Sequence, residues 1–256
     1  MINVVKIGGN VVDDPIALNN FIVDFASLPG KKILVHGGGK EATALSKALG
    51  IETTMIDGRR VTDARTLDVV TMVYAGLINK RIVSLLQKNT VDAIGLCGAD
   101  AHALVSRKRS PLPVDYGFVG DVDGTGVNVG LIWKLLEDGI TPVFCAITLG
   151  DNGELLNTNA DSVASAIAMG MADKTPTCLT FCFEKAGVLM DPSDEASVIP
   201  HITREQFDSL REAGVIAKGM VPKLTNSFNA LDHSVKSVVI KSSLNLRNDI
   251  GTLIER

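Results

Sequence analysis

An α/β fold on a mainly parallel central sheet is what this chain predicts, and three observations carry the expectation. Short apolar runs alternate with amphipathic helical stretches from the first residues onward, which is the pattern of βαβ units. Hydrophobic residues make up 46% of the chain and aromatics only 4%, so Val, Ile, Leu and Ala carry the apolar load, as strands covered on both faces require. The length of 256 residues suits one large unit, big enough to divide into two lobes.

Taken in order, Ile2 to Ile7 reads as a strand, Ala17 to Ala26 as a helix, Lys32 to His36 as a strand and Lys40 to Leu49 as a helix. In that second helix Ala42, Leu45, Ala48 and Leu49 recur three or four apart and form one apolar stripe. Asp63 to Leu86 predicts a long helix broken near Gly76, with apolar positions enough for a subunit interface. Ala93 to Cys97 and Thr141 to Ile147 read as strands, and the Gly-, Pro- and Asp-rich stretch from Ser106 to Gly126 as hairpins or a lid. From Ala160 the residues Val163, Ala164, Ile167 and Met171 keep a helical period, placing Asn159 and Asp161 at a helix start. Strands at Thr177 to Phe181 and Ser237 to Lys241 flank a helix from Gly219 marked by Val221, Leu224, Phe228 and Leu231. Pro222 fits that helix only in its first turn, so Lys223 lies near its start.

The balance of 25 Lys+Arg against 29 Asp+Glu, net charge -4, provides no global field to collect nucleic acid or anionic lipid. Any basic residue that matters acts locally, and no nucleic-acid or membrane partner is expected. Cys97, Cys145, Cys178 and Cys182 show no paired spacing and no surrounding His/Cys cluster, which predicts reduced thiols. The opening MINVVKIGG lacks the regions of a signal peptide, and no run approaches about 18 consecutive apolar residues. These features predict a cytoplasmic protein.

Four segments carry chemistry. Lys6-Ile7-Gly8-Gly9-Asn10 puts a lysine at a strand end before two glycines, which suits a phosphate and equally an ordinary turn with a snorkelling lysine. His36-Gly37-Gly38-Gly39-Lys40 exposes amides at a helix start, where a carboxylate or phosphate is favoured. A lipase-type oxyanion loop uses the same glycines but needs a G-x-S-x-G elbow, which the chain lacks. Leu156-Asn157-Thr158-Asn159-Ala160-Asp161 offers two asparagines and a carboxylate, more than one helix cap requires, although capping alone accounts for the segment taken by itself. Lys218-Gly219-Met220-Val221-Pro222-Lys223 places a cation where the helix dipole disfavours it, which invites an anionic partner.

Together with Asp57-Gly58-Arg59-Arg60-Val61-Thr62 and Gly251-Thr252, these segments run in an order that resembles the amino acid kinase family from residue 6 to residue 252. The resemblance implies a three-layer α/β/α sandwich of two lobes, about 1–150 for acyl-glutamate binding and dimerisation and about 151–256 for the nucleotide. It implies transfer of the γ-phosphoryl group of ATP, with its Mg²⁺ carried on the nucleotide, to the γ-carboxylate of N-acetyl-L-glutamate. The product, N-acetyl-L-glutamyl 5-phosphate, belongs to an early step of arginine biosynthesis. Another N-acylglutamate, such as N-succinylglutamate, or a non-catalytic nucleotide-binding member of the fold are the alternatives. Matched motif by motif, Lys6 and Lys223 stabilise the transition state and Asp161 organises them. Gly38, Gly39, Arg60 and Asn157 bind the acyl-glutamate, and Gly8, Gly9, Glu184, Gly187, Gly219 and Met220 face the phosphates and nucleotide. The chain departs from the family pattern at Cys182 to Leu189, where Glu184 stands for a usual aspartate, and at Gly98 to His102. Lys6 comes too early for the extra N-terminal helix of the arginine-inhibited branch, so an arginine-insensitive homodimer is expected.

Overall fold

The computed structural model describes residues 1–56, 58–216 and 220–256. The chain opens with β1 (Ile2–Ile7), α1 (Gly9–Asp13), α2 (Pro15–Ser27), β2 (Lys31–His36) and α3 (Gly39–Ala48). A small hairpin, β3 (Met55–Ile56) and β4 (Arg59–Arg60), precedes α4 (Ala64–Thr71) and α5 (Asn79–Lys88), which a π-helical stretch, Met72–Ile78, joins into one rod. Then come β5 (Ala93–Leu96), β6 (Val105–Lys108), β7 (Val119–Asp121), α6 (Val129–Glu137), β8 (Thr141–Phe144), β9 (Ile147–Gly150), β10 (Leu155–Thr158) and α7 (Ala160–Ala172). The last part holds β11 (Thr177–Phe183), β12 (His201–Ile202), α8 (Arg204–Glu212), α9 (Val221–Asp232), β13 (Ser237–Ser242) and β14 (Thr252–Ile254).

Among the described residues eight strands form one sheet in the order β12-β14-β13-β11-β1-β2-β8-β5, with only the β13–β14 pair antiparallel. Strand parity divides the core into two layers. Ile2 and Val4 of β1 and Ile33 and Val35 of β2 pack against α6, α7 and α9, while Val5, Ile7 and Leu34 pack against α2, α4 and α5. With helices on both faces, the expected three-layer α/β/α sandwich is what forms. Lys6 shares the parity of Ile2 and Val4 and faces α7 and α9; His36 shares that of Leu34 and faces α5.

Several elements differ from the sequence-based expectation. The run Thr141 to Ile147 is two strands in two sheets: Cys145 N–H still donates to Leu96 O, but Ala146 O accepts from Thr158 N–H, and the chain crosses into a four-stranded closed barrel of β10, β7, β6 and β9. An unbroken apolar run has no periodicity to reveal such a switch. The segment from Ser106 to Gly126 supplies the β6–β7 hairpin of that barrel. The helix does not break at Gly76 but widens into the π-turn. By length and composition the rod Ala64–Lys88 contains a stretch apolar enough to cross a membrane, yet Val69, Val73, Ile78 and Ile82 on its inner side belong to the protein core. Helices α1 and α8 carried no clear signal; α8 is nucleated by a capping box between Thr203 and Gln206.

Candidate functional site

The C-terminal ends of β1 and β10 and the N-termini of α3, α7 and α9 converge, and their side chains form the site. At the start of α7 the cap is Asn159, whose Oδ1 accepts from the N–H groups of Asp161 and Ser162. Asp161 is therefore released from capping. Its Oδ2 accepts a 2.8 Å hydrogen bond from Lys223 Nζ, and its Oδ1 lies 2.8 Å from Lys6 Nζ as an ion pair that is not aligned as a hydrogen bond. Pro222 lies in the first turn of α9, as expected, and delivers Lys223 inward. Lys223 Nζ also sits 4.9 Å from the centre of the Phe181 ring, so cation–π attraction adds to the ion pair.

Charges in this cluster are strongly coupled. Burial alone would raise the Asp161 carboxyl, but Lys6 and Lys223 outweigh it and hold the group well below the usual carboxylate range. Burial lowers the Lys223 ammonium, while Asp161 works to keep it protonated. One carboxylate between two ammonium groups leaves a net positive centre at the mouth of the strands.

Beside it, Gly9, Gly38, Gly39, Arg60 and Asn157 line one cavity of about 230 Å³, together with Met55, Arg59, Tyr74 and Val119. Arg60 Nη2 donates to Gly39 O at 2.9 Å and Thr43 Oγ1 at 2.8 Å, and Nη1 to Thr53 Oγ1 at 3.2 Å, so the fork is held in place before any anion arrives. Asn157 Nδ2 donates to Thr62 Oγ1 at 3.0 Å, and the Thr62 hydroxyl donates in turn to Arg60 O. At Gly38 the absence of a side chain is required by packing, since a Cβ there would overlap Ile78 Cδ1 and lie 3.1 Å from Tyr74 Cδ1.

His36 is fully buried and burial lowers its pKa to about 4, so it is neutral at pH 7. The Gly37 carbonyl 2.8 Å from Nδ1 can only accept, which fixes the proton on Nδ1; Nε2 then accepts from Asn79 Nδ2 at 3.1 Å. The histidine orients the glycine loop and has no free nitrogen for proton transfer.

The remaining expected residues lie elsewhere or do other work. Gly8 N–H donates to Cys182 O at 2.9 Å, extending the β1–β11 pairing, so its amide is already engaged. A Cβ on Gly187 would come within 2.7 Å of Thr252 Oγ1, and Met220 caps α9 and packs against the core. Glu184 lines a second groove with Gly9, Asn10, Lys40, Lys47 and Arg60. Gly219 and Lys218 lie outside the described residues, as does Asp57. Sequence reasoning missed Tyr74, Thr43 and Val119. Tyr74 lies in the long apolar helix that reads as broken near Gly76, and Val119 in the stretch that reads as hairpins or a lid.

The family model described as "Amino acid kinase family" matches residues 1–242. The chain belongs to the amino acid kinase family. Within that family it is 54% identical to the acetylglutamate kinase of Cytophaga hutchinsonii, over 93% of this chain and 89% of the relative. It is 48% identical to that of Phocaeicola vulgatus, over 100% of this chain and 98% of the relative. Among solved structures, the smu.665 protein of Streptococcus mutans UA159 superimposes with a TM-score of 0.80 at 27% identity, covering 99% and 98% of the two chains. The N-acetylglutamate synthase of Neisseria gonorrhoeae shares the fold over 59% of its own length, with a TM-score of 0.84 at 20% identity. As an amino acid kinase, the chain uses ATP as its phosphoryl donor.

Proposed function

We infer that this chain transfers the γ-phosphoryl group of ATP to the γ-carboxylate of N-acetyl-L-glutamate, forming N-acetyl-L-glutamyl 5-phosphate for arginine biosynthesis. The observation that carries this reading is the Lys6–Asp161–Lys223 cluster, two cations on one carboxylate, opening beside the cavity of Gly38, Gly39, Arg60 and Asn157.

A substrate carboxylate is ionised at neutral pH, so no general base is needed. The barrier is electrostatic: an anion must approach a polyanion, and charge builds on the transferring group. On this reading Lys6 and Lys223 hold that charge from two sides, and Asp161 fixes their ammonium groups at the spacing the transferring group requires. The Arg60 fork takes the non-reacting carboxylate bidentately, and Asn157 together with the glycine amides orients the acyl-amide end. Gly9 faces the γ-phosphate, and Glu184, Gly187, Gly219 and Met220 belong to the nucleotide half, about 151–256, opposite an acyl-glutamate half of about 1–150. A Mg²⁺ carried on the ATP phosphates would neutralise charge there. Met72 and Leu77 on the outer side of the long rod and Ile94 on the edge strand β5 are exposed, and we assign this face to a homodimer contact. The cytoplasm is the compartment that fits this metabolism.

The test is a hydroxylamine trap. Protein, MgATP and N-acetyl-L-glutamate yield a coloured hydroxamate if an acyl phosphate forms, and absence of product with every N-acylglutamate tried overturns the reading. Lys6→Ala and Lys223→Ala serve as controls, each expected to lower kcat by about two to three orders of magnitude. Unchanged turnover would remove those lysines from the mechanism.

A further inference from the structure

Tyr74 lines the cavity with Gly38, Arg60 and Asn157 and is only 6% exposed, yet the phosphoryl transfer described above leaves its phenol without a task. Its position depends on the π-turn. In the continuous rod from Ala64 to Lys88, the widened stretch Met72–Ile78 presents both Tyr74 and Ile78 to the glycine loop, an irregularity that concentrates at functional sites. The Cδ1 and Cε1 atoms of Tyr74 lie 3.1 and 3.2 Å from where a Gly38 Cβ would stand, so the ring forms the wall next to the loop.

The phenol also sits beside the Arg60 guanidinium. Burial raises its pKa and Arg60 lowers it, with burial the larger effect, so at pH 7 the group is neutral and keeps an O–H to donate. The bonds that anchor the Arg60 nitrogens go to Gly39 O, Thr43 Oγ1 and Thr53 Oγ1; Arg60 also faces the phenol oxygen as a donor, which leaves the phenol O–H itself free to donate. A guanidinium and a neutral O–H donor at the edge of one cavity form a complementary pair for a carboxylate.

We propose that Tyr74 is a specificity-determining residue whose phenol O–H joins Arg60 in holding the α-carboxylate of the substrate, an assignment that rests on the N-acylglutamate reading above. That carboxylate keeps its charge throughout the reaction, so the contact is equally strong in the ground and transition states. Its loss appears in KM and leaves kcat alone.

Tyr74→Phe deletes one oxygen and keeps the wall. For N-acetyl-L-glutamate the variant should show KM raised about tenfold or more, the usual effect of losing a hydrogen bond to a charged group, with kcat and KM for ATP within about twofold of wild type. The same factor should hold for N-propionyl-L-glutamate, because the phenol does not contact the acyl chain. With N-acetyl-L-isoglutamine, in which a neutral amide replaces the α-carboxylate, the factor between wild type and variant should shrink by about threefold or more in KM, or in calorimetric Kd where turnover is slow, because a neutral acceptor bonds the phenol more weakly. A thermal melt checks folding, and Tyr74→Leu is the second variant, held to the same substrate pattern if Phe folds poorly. An unchanged KM, a loss confined to kcat, a factor that varies with the acyl chain, or an equal penalty on isoglutamine each overturns the assignment. If wild type phosphorylates no N-acylglutamate, the functional reading itself fails; if wild type is active and the variant matches it, only Tyr74 loses its role.

Discussion

Replacing Asp161 with asparagine keeps the side-chain shape and removes the one negative charge that Lys6 and Lys223 share. Each ammonium lies 2.8 Å from a carboxylate oxygen, which at an effective dielectric constant of 20 is worth about 6 kcal/mol of gross attraction per contact. Desolvation of the three groups cancels much of that. Removing one partner of a buried pair nevertheless costs roughly 3–5 kcal/mol, because a charge is left buried and uncompensated. For a chain of this size that corresponds to a Tm lower by about 6–20 °C. The sign of the pH dependence follows from the depressed folded-state pKa of Asp161. Its stabilisation is complete above the unfolded value near 3.8 and is lost as pH falls toward the folded value, so wild type and variant converge in stability only below about pH 4. Catalysis adds a second readout. Asp161 positions the lysines and does not touch the transferring group in the proposed mechanism, so kcat should fall about 100-fold, the typical effect of a displacement near 1 Å. With its main upward influence gone, Lys223 deprotonates more easily, and the residual activity of the variant should decline at a lower pH than that of wild type. The assays are hydroxamate formation from pH 6 to 9 and thermal melts from pH 3 to 7. A variant with wild-type Tm and kcat would refute the view that one carboxylate organises both cations.

Two further outcomes follow from the geometry of the glycine loop. Gly38→Ala drives a methyl group into Ile78 and the Tyr74 ring and should cost about 1–3 kcal/mol in a thermal or urea melt. At Gly39, where the nearest atom to an added Cβ is Arg60 Nη2 at 4.0 Å, the same change should leave stability within about 0.5 kcal/mol, and equal melting of the two variants would contradict the packing account. His36, neutral in the fold with its pKa lowered to about 4 from 6.5, makes the folded state bind fewer protons than the unfolded chain between those values. Stability should therefore decline by about 3 kcal/mol as pH falls from 6.5 to 4. In His36→Gln that slope should be shallower, and an identical slope would assign the acid sensitivity to other groups.

The first half of the chain was largely legible because β1, β2 and α3 have distinct periods and glycine punctuation between them. Pro222 located the first turn of α9 through proline's own geometry, and Asn159 and Asp161 marked the start of α7. What stayed hidden depended on distant partners. Nothing local distinguishes Cys145 and Ala146 as the point where the chain leaves one sheet for another, since the hydrogen bonds that decide it come from Leu96 and Thr158. The π-turn shows in the sequence only as Gly76, read as a break, and the packing demand at Gly38 comes from Ile78, 40 positions away.

By itself, then, the order of residues determined the layered α/β architecture, the family and the set of charged and glycine residues available to the site, because periodicity, capping and turn chemistry act over a few residues. Tertiary structure alone decided which of Asn159 and Asp161 serves as the cap, that Lys6 and Lys223 meet on the freed carboxylate, that Gly8 spends its amide on Cys182, and that Tyr74 reaches the wall beside Arg60. These outcomes depend on distances between residues far apart in sequence, here 155 positions between Lys6 and Asp161 and 62 between Asp161 and Lys223. Electrostatic energy at 2.8 Å has no counterpart in a linear pattern until the sheet and its two helix layers bring those atoms together.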